Sequence, residues 1–291
     1  MRCIDGVWDH PAICHPECGR LTPDGVDLIV NGRPALRGEL PWHTGIYRKS
    51  KKPGKPHRQI CGGSLVTNNV VISAAHCFWD DVGKQQPAAN YAVAIGKLFR
   101  AWDSDDEVKD DVQKSDLIDI KIPSRFLGRT ANFQEDIALL ILKTPFVYRT
   151  YVRPVCLNFD VNFNRRQLKD GNLGKVAGWG LTGENGKPSK ILKVVELPYV
   201  NIDECIKKTP LTFRENITGD KICAGYFNGT ALCKGDSGGG LAFPESERGT
   251  QRYYLRGIAS TAPKSQHLCN LFTLTAFTQI LKHEHYINQY L

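Results

Sequence analysis

The chain has 291 residues, 41% of them hydrophobic, and 38 Lys and Arg against 30 Asp and Glu, for a formal net charge of +8. That length and apolar content can bury one large core or two smaller ones, and they exclude a disordered chain. The excess charge is modest and scattered, which excludes a dedicated nucleic-acid surface, and no apolar run approaches the ~18 residues that span a bilayer. Neither nucleic acid nor membrane is expected as a partner.

At the front stands "MRCIDGVWDHPAIC", which has no apolar core after Met1 of the kind a secretory leader carries. Yet ten cysteines stand against one methionine, with none at the close spacing of a zinc finger or redox motif, so disulfides in an oxidising compartment are expected. Either secretion is unconventional, or Met1 is not the natural start and a secreted, extracellular chain is truncated at its N-terminus. Cys3 and Cys14 can bridge each other in a small loop.

From about residue 40 onward, short apolar runs alternate with Gly, Pro and Asn: GGSLVTNNVVISAA, YAVAIG, DIALLIL, KVAGWG, YYLRGIAS. Their Val, Ile and Tyr content predicts an all-β protein of many short antiparallel strands in barrels or sandwiches. The basic segment 48–58 (RKSKKPGKPHR) is broken by Pro53, Gly54 and Pro56, so it reads as a solvated loop rather than a polyanion site. The segment 103–116 (DSDDEVKDDVQKSD) carries seven acids; it reads as a solvated loop, with a calcium loop as the alternative, although no EF-hand spacing is present. Helix is expected at 201–208, where Asn201 can cap, and at 277–290 near the C-terminus. Asn216 and Asn228 open glycosylation acceptor triplets.

Three local contexts carry chemistry. "SAAHC" presents His76 between small residues and Cys77. "EDIALLIL" places Asp136 immediately before an apolar strand, at the edge of a core. "CKGDSGGG" surrounds Ser237 with glycines, which allow positive φ and let the N–H groups of Gly235 and Ser237 aim at one point. A serine nucleophile at neutral pH needs a base, a carboxylate to orient the base, and amide donors for the oxyanion. His76, Asp136, Ser237 and the Gly235 and Ser237 amides supply that set; no metal is needed.

In this order, and with "CGGSLV", "RPVCL", "VAGWG" and "ICAG", these motifs resemble the chymotrypsin-like serine proteases over roughly 29–291. The resemblance implies two six-stranded antiparallel β-barrels and a C-terminal helix, with His76, Asp136 and Ser237 as the triad in the cleft. It implies that "LIVNG" is an activation site: cutting between Leu28 and Ile29 frees an ammonium that pairs with Asp236, ordering the oxyanion loop, so the chain as written is a zymogen. It further implies disulfides Cys18–Cys156, Cys61–Cys77, Cys205–Cys223 and Cys233–Cys269. A further family disulfide is absent at both of its positions, held here by Gly174 and Phe243.

Trypsin-like members carry an aspartate at the pocket floor, where this chain has Ala231; a basic side chain there would be buried without a countercharge. Leu232 narrows the floor, Thr275 shortens the wall, and Ser260 and Ala262 line the other side. The pocket implied takes small or medium aliphatic residues, and Leu28 at the activation bond fits it, so the activating enzyme is expected to be this protease itself or an upstream protease of the same preference. Residues 3–14, "CIDGVWDHPAIC", resemble the last segment of a complement control (sushi) module, in which Cys3 and Cys14 would each pair with an earlier cysteine, so 1–17 is expected to be a remnant of that module, followed by an activation linker at 18–28 and the protease domain at 29–291.

A sushi remnant before a Leu–Ile activation bond resembles the modular serine proteases of insect haemolymph. That implies upstream recognition proteins acting through missing N-terminal modules and a downstream clip-domain protease zymogen as substrate, leading to Toll signalling or melanisation, with serpin-type inhibitors as regulators. The alternatives are a digestive elastase-like enzyme, a complement-type protease, or an idle protease-like binding module. An idle module usually lacks a triad member or the glycine at Gly235, and all four residues are present.

Overall fold

The structure is a computed structural model that describes residues 18–21, 33–82, 84–181, 186–227, 232–246, 249–260 and 273–291, with the backbone of 3–4, 7–8, 247 and 261. Six strands form a first closed barrel: β1 His43–Arg48, β2 Arg58–Leu65, β3 Val70–Ser73, β4 Tyr91–Ile95, β5 Gln113–Lys121 and β6 Ala138–Leu142. All neighbours are antiparallel, in the order β5-β6-β3-β2-β1-β4. These are the Val- and Ile-rich runs of the sequence, and closure removes the exposed edges that such strands would otherwise present.

The second barrel comprises β7 Leu173–Gly178, β8 Lys193–Val200, β9 Lys221–Ala224, β10 Gly240–Glu247, β11 Thr250–Thr261 and β12 Thr275–Gln279. Their order is β7-β10-β11-β12-β9-β8, and pairing of β7 with β8 closes the ring. The two-residue strand Arg33–Pro34 adds to the outside of β8. Ile46, Leu65, Ile72, Val93 and Leu140 are fully buried in the first barrel, and Val176, Leu197, Leu241 and Phe277 in the second. Each such side chain contributes roughly 1.5–3 kcal/mol by leaving water.

Gly174 on β7 shows why a missing disulfide costs this barrel little. A Cβ there would lie 2.8 Å from the Phe243 ring, so the aromatic fills the space between the two strands. The disulfides Cys18–Cys156, Cys61–Cys77 and Cys205–Cys223 are present. Cys233 is also disulfide-bonded, with a partner outside the described residues.

Of the expected helices, α2 Ile202–Lys208 forms, and Asn201 Oδ1 accepts from the Glu204 N–H at 3.0 Å. The expectation at 277–290 is corrected at its start. Residues 277–279 belong to β12, paired on both sides, then a 3₁₀ turn Ile280–His283 leads into α4 Glu284–Asn288. Two further helices, α1 Val161–Gln167 and α3 Leu211–Arg214, precede and follow α2; α1 is capped by Asp160 Oδ1, which accepts from Phe163 N at 2.6 Å.

Candidate active site

β3 ends at Ser73, and after Ala74 the chain turns at once into the 3₁₀ turn Ala75–Phe78 that carries His76. Cys77, bonded to Cys61 on β2, ties this turn to the barrel wall. Asp136 lies two residues before β6 and is fully buried. Its Oδ1 accepts from the His76 backbone N–H at 2.9 Å, and its Oδ2 lies 2.8 Å from His76 Nδ1. From the second barrel, the Ser260 hydroxyl donates to the same Oδ2 at 2.5 Å, and Thr278 Oγ1 donates to the Asp136 carbonyl at 3.0 Å.

The electrostatics follow from these contacts. Burial opposes ionisation of both groups, but each charge supports the other: His76 holds the Asp136 carboxyl below its ordinary value, and Asp136 holds the His76 imidazole above its own. With Nδ1 donating to Asp136, His76 Nε2 is the nitrogen available as a base. The imidazole is partly exposed, so an incoming group can reach it.

The Ser237 loop is pinned from three directions. The Ser237 carbonyl accepts from Gly62 N at 2.7 Å, Gly238 N donates to Ala259 O at 2.8 Å, and Ala259 N donates to Gly239 O at 2.9 Å. Gly235 has φ +109°, a conformation that side chains rarely adopt, and its carbonyl accepts from Gln59 Nε2 at 3.0 Å. Among the described residues, the N–H groups of Gly235 and Ser237 donate to no acceptor. Two amides left unspent beside a serine on a rigid loop are donors available to a developing negative charge.

Asp236, between them, is buried and points away from Ser237 toward 178–180. Its Oδ1 accepts from Gly180 N at 2.7 Å and its Oδ2 from Cys233 N at 2.9 Å. A Cβ at Gly178 or Gly180 would collide with this carboxylate, so both glycines are required by its approach. Burial pushes Asp236 up to about 6, the two amides and the more distant charge of Lys193 opposing it, and among the described residues no cation is in salt-bridge contact with it.

Several expected site residues lie outside the described residues: Leu28, Ile29, Ala231, Ala262, Cys269 and Asn228, as well as Cys14 and the side chain of Cys3. Of the expected pocket residues, Leu232 is partly buried against the second-barrel core, while Ser260 and Thr275 are buried. Ser260 does more than line a wall, since its hydroxyl is spent on Asp136. Asn216 is partly exposed after α3.

The acidic segment does not fit a calcium ion. Glu107 accepts from Leu98 N and Phe99 N and pairs with Lys97 and Arg37, Asp111 pairs with Arg37, and Asp103 pairs with Lys114. Among the described residues, the one grouping with metal-ligand proximity is Cys61, His76 and Cys77, whose two sulfurs form a disulfide. Basic residues 51, 52, 55 and 58 are exposed at the β1–β2 hairpin tip. No helix among the described residues is long and apolar enough to cross a membrane.

Two closed barrels with a buried carboxylate–histidine pair and a glycine-framed serine define a chymotrypsin-like protein. The chain belongs to the trypsin family of serine proteases, whose description matches residues 29–280. It is 36% identical to clotting factor C of Tachypleus tridentatus over 268 residues, 89% of this chain and 25% of that protein. It is 31% identical to the modular serine protease of Drosophila melanogaster, over 96% of this chain and 43% of that protein. Melanization protease 1 of the same fly is 31% identical, over 85% of this chain and 61% of that protein. The chain thus spans less than two thirds of the length of these relatives.

Proposed function

We propose that the chain is a secreted serine endopeptidase zymogen in which His76 is the base, Asp136 its orienting carboxylate, Ser237 the nucleophile, and Gly235 and Ser237 the oxyanion donors. The observation that carries the reading is the Asp136 carboxylate gripping both the ring and the backbone of His76, beside a serine loop with two unspent amides. His76 takes the Ser237 proton as Oγ attacks the scissile carbonyl, the two N–H groups receive the oxyanion, and the imidazolium then protonates the leaving amine. Water repeats the cycle on the acyl-enzyme.

Cleavage between Leu28 and Ile29 supplies the ammonium that Asp236 lacks. The family match begins at Ile29, and Asp236 is a buried carboxylate with amide donors alone, which supports that reading. Ala231, Leu232 and Thr275 in place of an acidic floor support cleavage after small or medium aliphatic residues, Leu28 included, and hence self-activation. Relatives named for clotting and melanization support a place in an extracellular immune cascade, with a clip-domain protease zymogen as substrate, a serpin-type inhibitor, and an upstream recognition protein acting through further N-terminal modules.

The test mixes active enzyme with its Ser237→Ala form and reads the new terminus by mass spectrometry while assaying Leu-, Ala- and Arg-ending peptides. Appearance of Ile29 as a terminus, with turnover of Leu or Ala peptides, is the expected result. Turnover of Arg peptides alone overturns the pocket reading, an intact Ser237→Ala chain overturns self-activation, and a clean Ile29 terminus with no turnover overturns the enzyme.

A further inference from the structure

Beneath the His76–Asp136 pair lies a second cluster of buried charge that the reaction above does not use. Lys221, the first residue of β9, has a side chain with no exposed surface. Its three N–H donors are all engaged: Nζ lies 2.7 Å from the Phe133 carbonyl, 3.1 Å from Thr278 Oγ1 and 3.3 Å from Asp220 Oδ2. Thr278 is the residue that donates to the Asp136 carbonyl, so one hydroxyl separates the ammonium from the backbone of the orienting carboxylate.

Asp220 completes the cluster. Its Oδ2 accepts from Glu135 N at 2.9 Å and lies 3.2 Å from His283 Nε2, and its Oδ1 accepts from Thr218 Oγ1 at 2.5 Å. Two adjacent residues of the second barrel therefore grip the chain just ahead of Asp136. The cation takes a carbonyl at 133, and the anion takes an amide at 135.

That chain segment needs holding. Asn132, Phe133 and Glu135 have φ of +50°, +57° and +59°, the left-handed region that non-glycine residues rarely adopt. Three such residues within four positions do not persist on local preference; the surrounding structure must impose them. The Phe133 ring in turn lies edge-on to His76, with centroids 6.1 Å apart.

We propose that Lys221, with Asp220, is a positioning residue for the His76–Asp136 pair: its buried ammonium holds the 132–135 loop in register and sets the pH at which His76 serves as a base. The inference rests on the protease reading of the same site. The charged and titratable groups around the pair are Asp136 on its loop, Lys221 and Asp220 from the second barrel, Glu135 with its partner Arg125, and His283 near the C-terminus. A cation so placed disfavours protonation of His76 and favours ionisation of Asp136, and its field is felt in those directions at both groups. His76 thereby stays neutral, and able to take a proton, at lower pH than Asp136 alone would permit.

The test follows kcat/KM against pH in three cleaved enzymes: the natural chain, Lys221→Met, and the double variant Asp220→Asn with Lys221→Met. The double variant leaves no unpaired buried charge, the arrangement that most often survives removal of an ion pair. Lys221→Met is expected to move the acid limb upward by about half a pH unit, which lowers activity near pH 6 roughly threefold while the alkaline plateau changes less, and the double variant moves it in the same direction by less, because loss of the Asp220 anion offsets part of the shift. An acid limb that stays in place in an active variant overturns the inference, whatever the plateau does. Loss of folding in both variants overturns it too, in favour of a purely structural role. The protease reading fails separately, if the cleaved natural chain shows no turnover or if His76→Ala leaves turnover intact.

Discussion

Two buried aspartates frame the site, and they are held in opposite ways. Asp136 has no exposed surface and receives a backbone N–H, an imidazole and a hydroxyl, so its negative charge is stabilised on every side. Asp236 is 8% exposed and receives two amides but no cation among the described residues, so burial wins and the carboxyl is pushed up to about 6. The same residue type in similar burial is thus a finished charge in one place and an unfinished one in the other. What differs is the partner set, and the activation proposed above, cleavage between Leu28 and Ile29, would supply Asp236 with a cation.

The sharpest way to break this comparison is to neutralise the finished charge. Asp136→Asn keeps the shape but can no longer stabilise an imidazolium, and its amide favours the wrong tautomer of His76. The cleaved enzyme is expected to lose on the order of 10⁴-fold in kcat with little change in KM, as measured on a Leu-ending peptide. A loss of less than about tenfold would mean that Asp136 is a packing residue.

Neutralising the unfinished charge is expected to cost less in rate but to separate the two states. On the proposed activation, Asp236→Asn removes the partner of the new ammonium, and the Gly235 and Ser237 amides are expected to lose their ordered placement. We expect the cleaved variant to be about 10²–10³-fold slower, the size of an oxyanion-hole defect, while the uncleaved variant is as stable as the natural chain or more so. A fully active cleaved Asp236→Asn enzyme would remove the switch from Asp236.

Much of this could be read along the chain because it is local. His76, Asp136 and Ser237 each sit inside a recognisable string, and the strand runs declare themselves by their Val and Ile content and by the turns between them. What escaped is long-range. The ammonium of Lys221 meets a carbonyl 88 positions away, and Ser260 reads as a pocket wall although its hydroxyl bonds a carboxylate 124 positions away. Nothing in the strings "KICAG" or "GIAST" signals such partners, since only barrel closure brings them together. The start of the C-terminal helix was misplaced for a related reason: Ile280, Ile287 and Leu291 have the spacing of one helical face, but two flanking strands were available to pair with 277–279, and tertiary context overrode the local pattern there.

The last effect concerns stability, where the pH dependence of Asp236 is set against that of a buried group that runs the other way. His43 on β1 lies against Trp179, its Nε2 has no hydrogen-bond partner among the described residues, and burial pushes it down to about 4. A histidine held neutral in the fold binds its proton more readily when unfolded, so stability is lost as pH falls from about 6.5 toward 4, by about 3 kcal/mol. Asp236 runs the other way, because its raised carboxyl keeps a proton in the fold that the unfolded chain gives up. Its contribution is present at about pH 4 and lost as pH rises through about 6, again by about 3 kcal/mol. In the uncleaved chain the two slopes offset, and its stability between about pH 4 and 6.5 should be nearly flat. Once an ammonium pairs with Asp236, that carboxyl no longer holds its proton and the His43 slope stands alone. Urea unfolding across this range should therefore show the cleaved enzyme weakening toward acid while the uncleaved chain does not, and uncleaved Asp236→Asn should behave like the cleaved enzyme. Parallel curves for the cleaved and uncleaved forms would mean that cleavage leaves the environment of Asp236 unchanged.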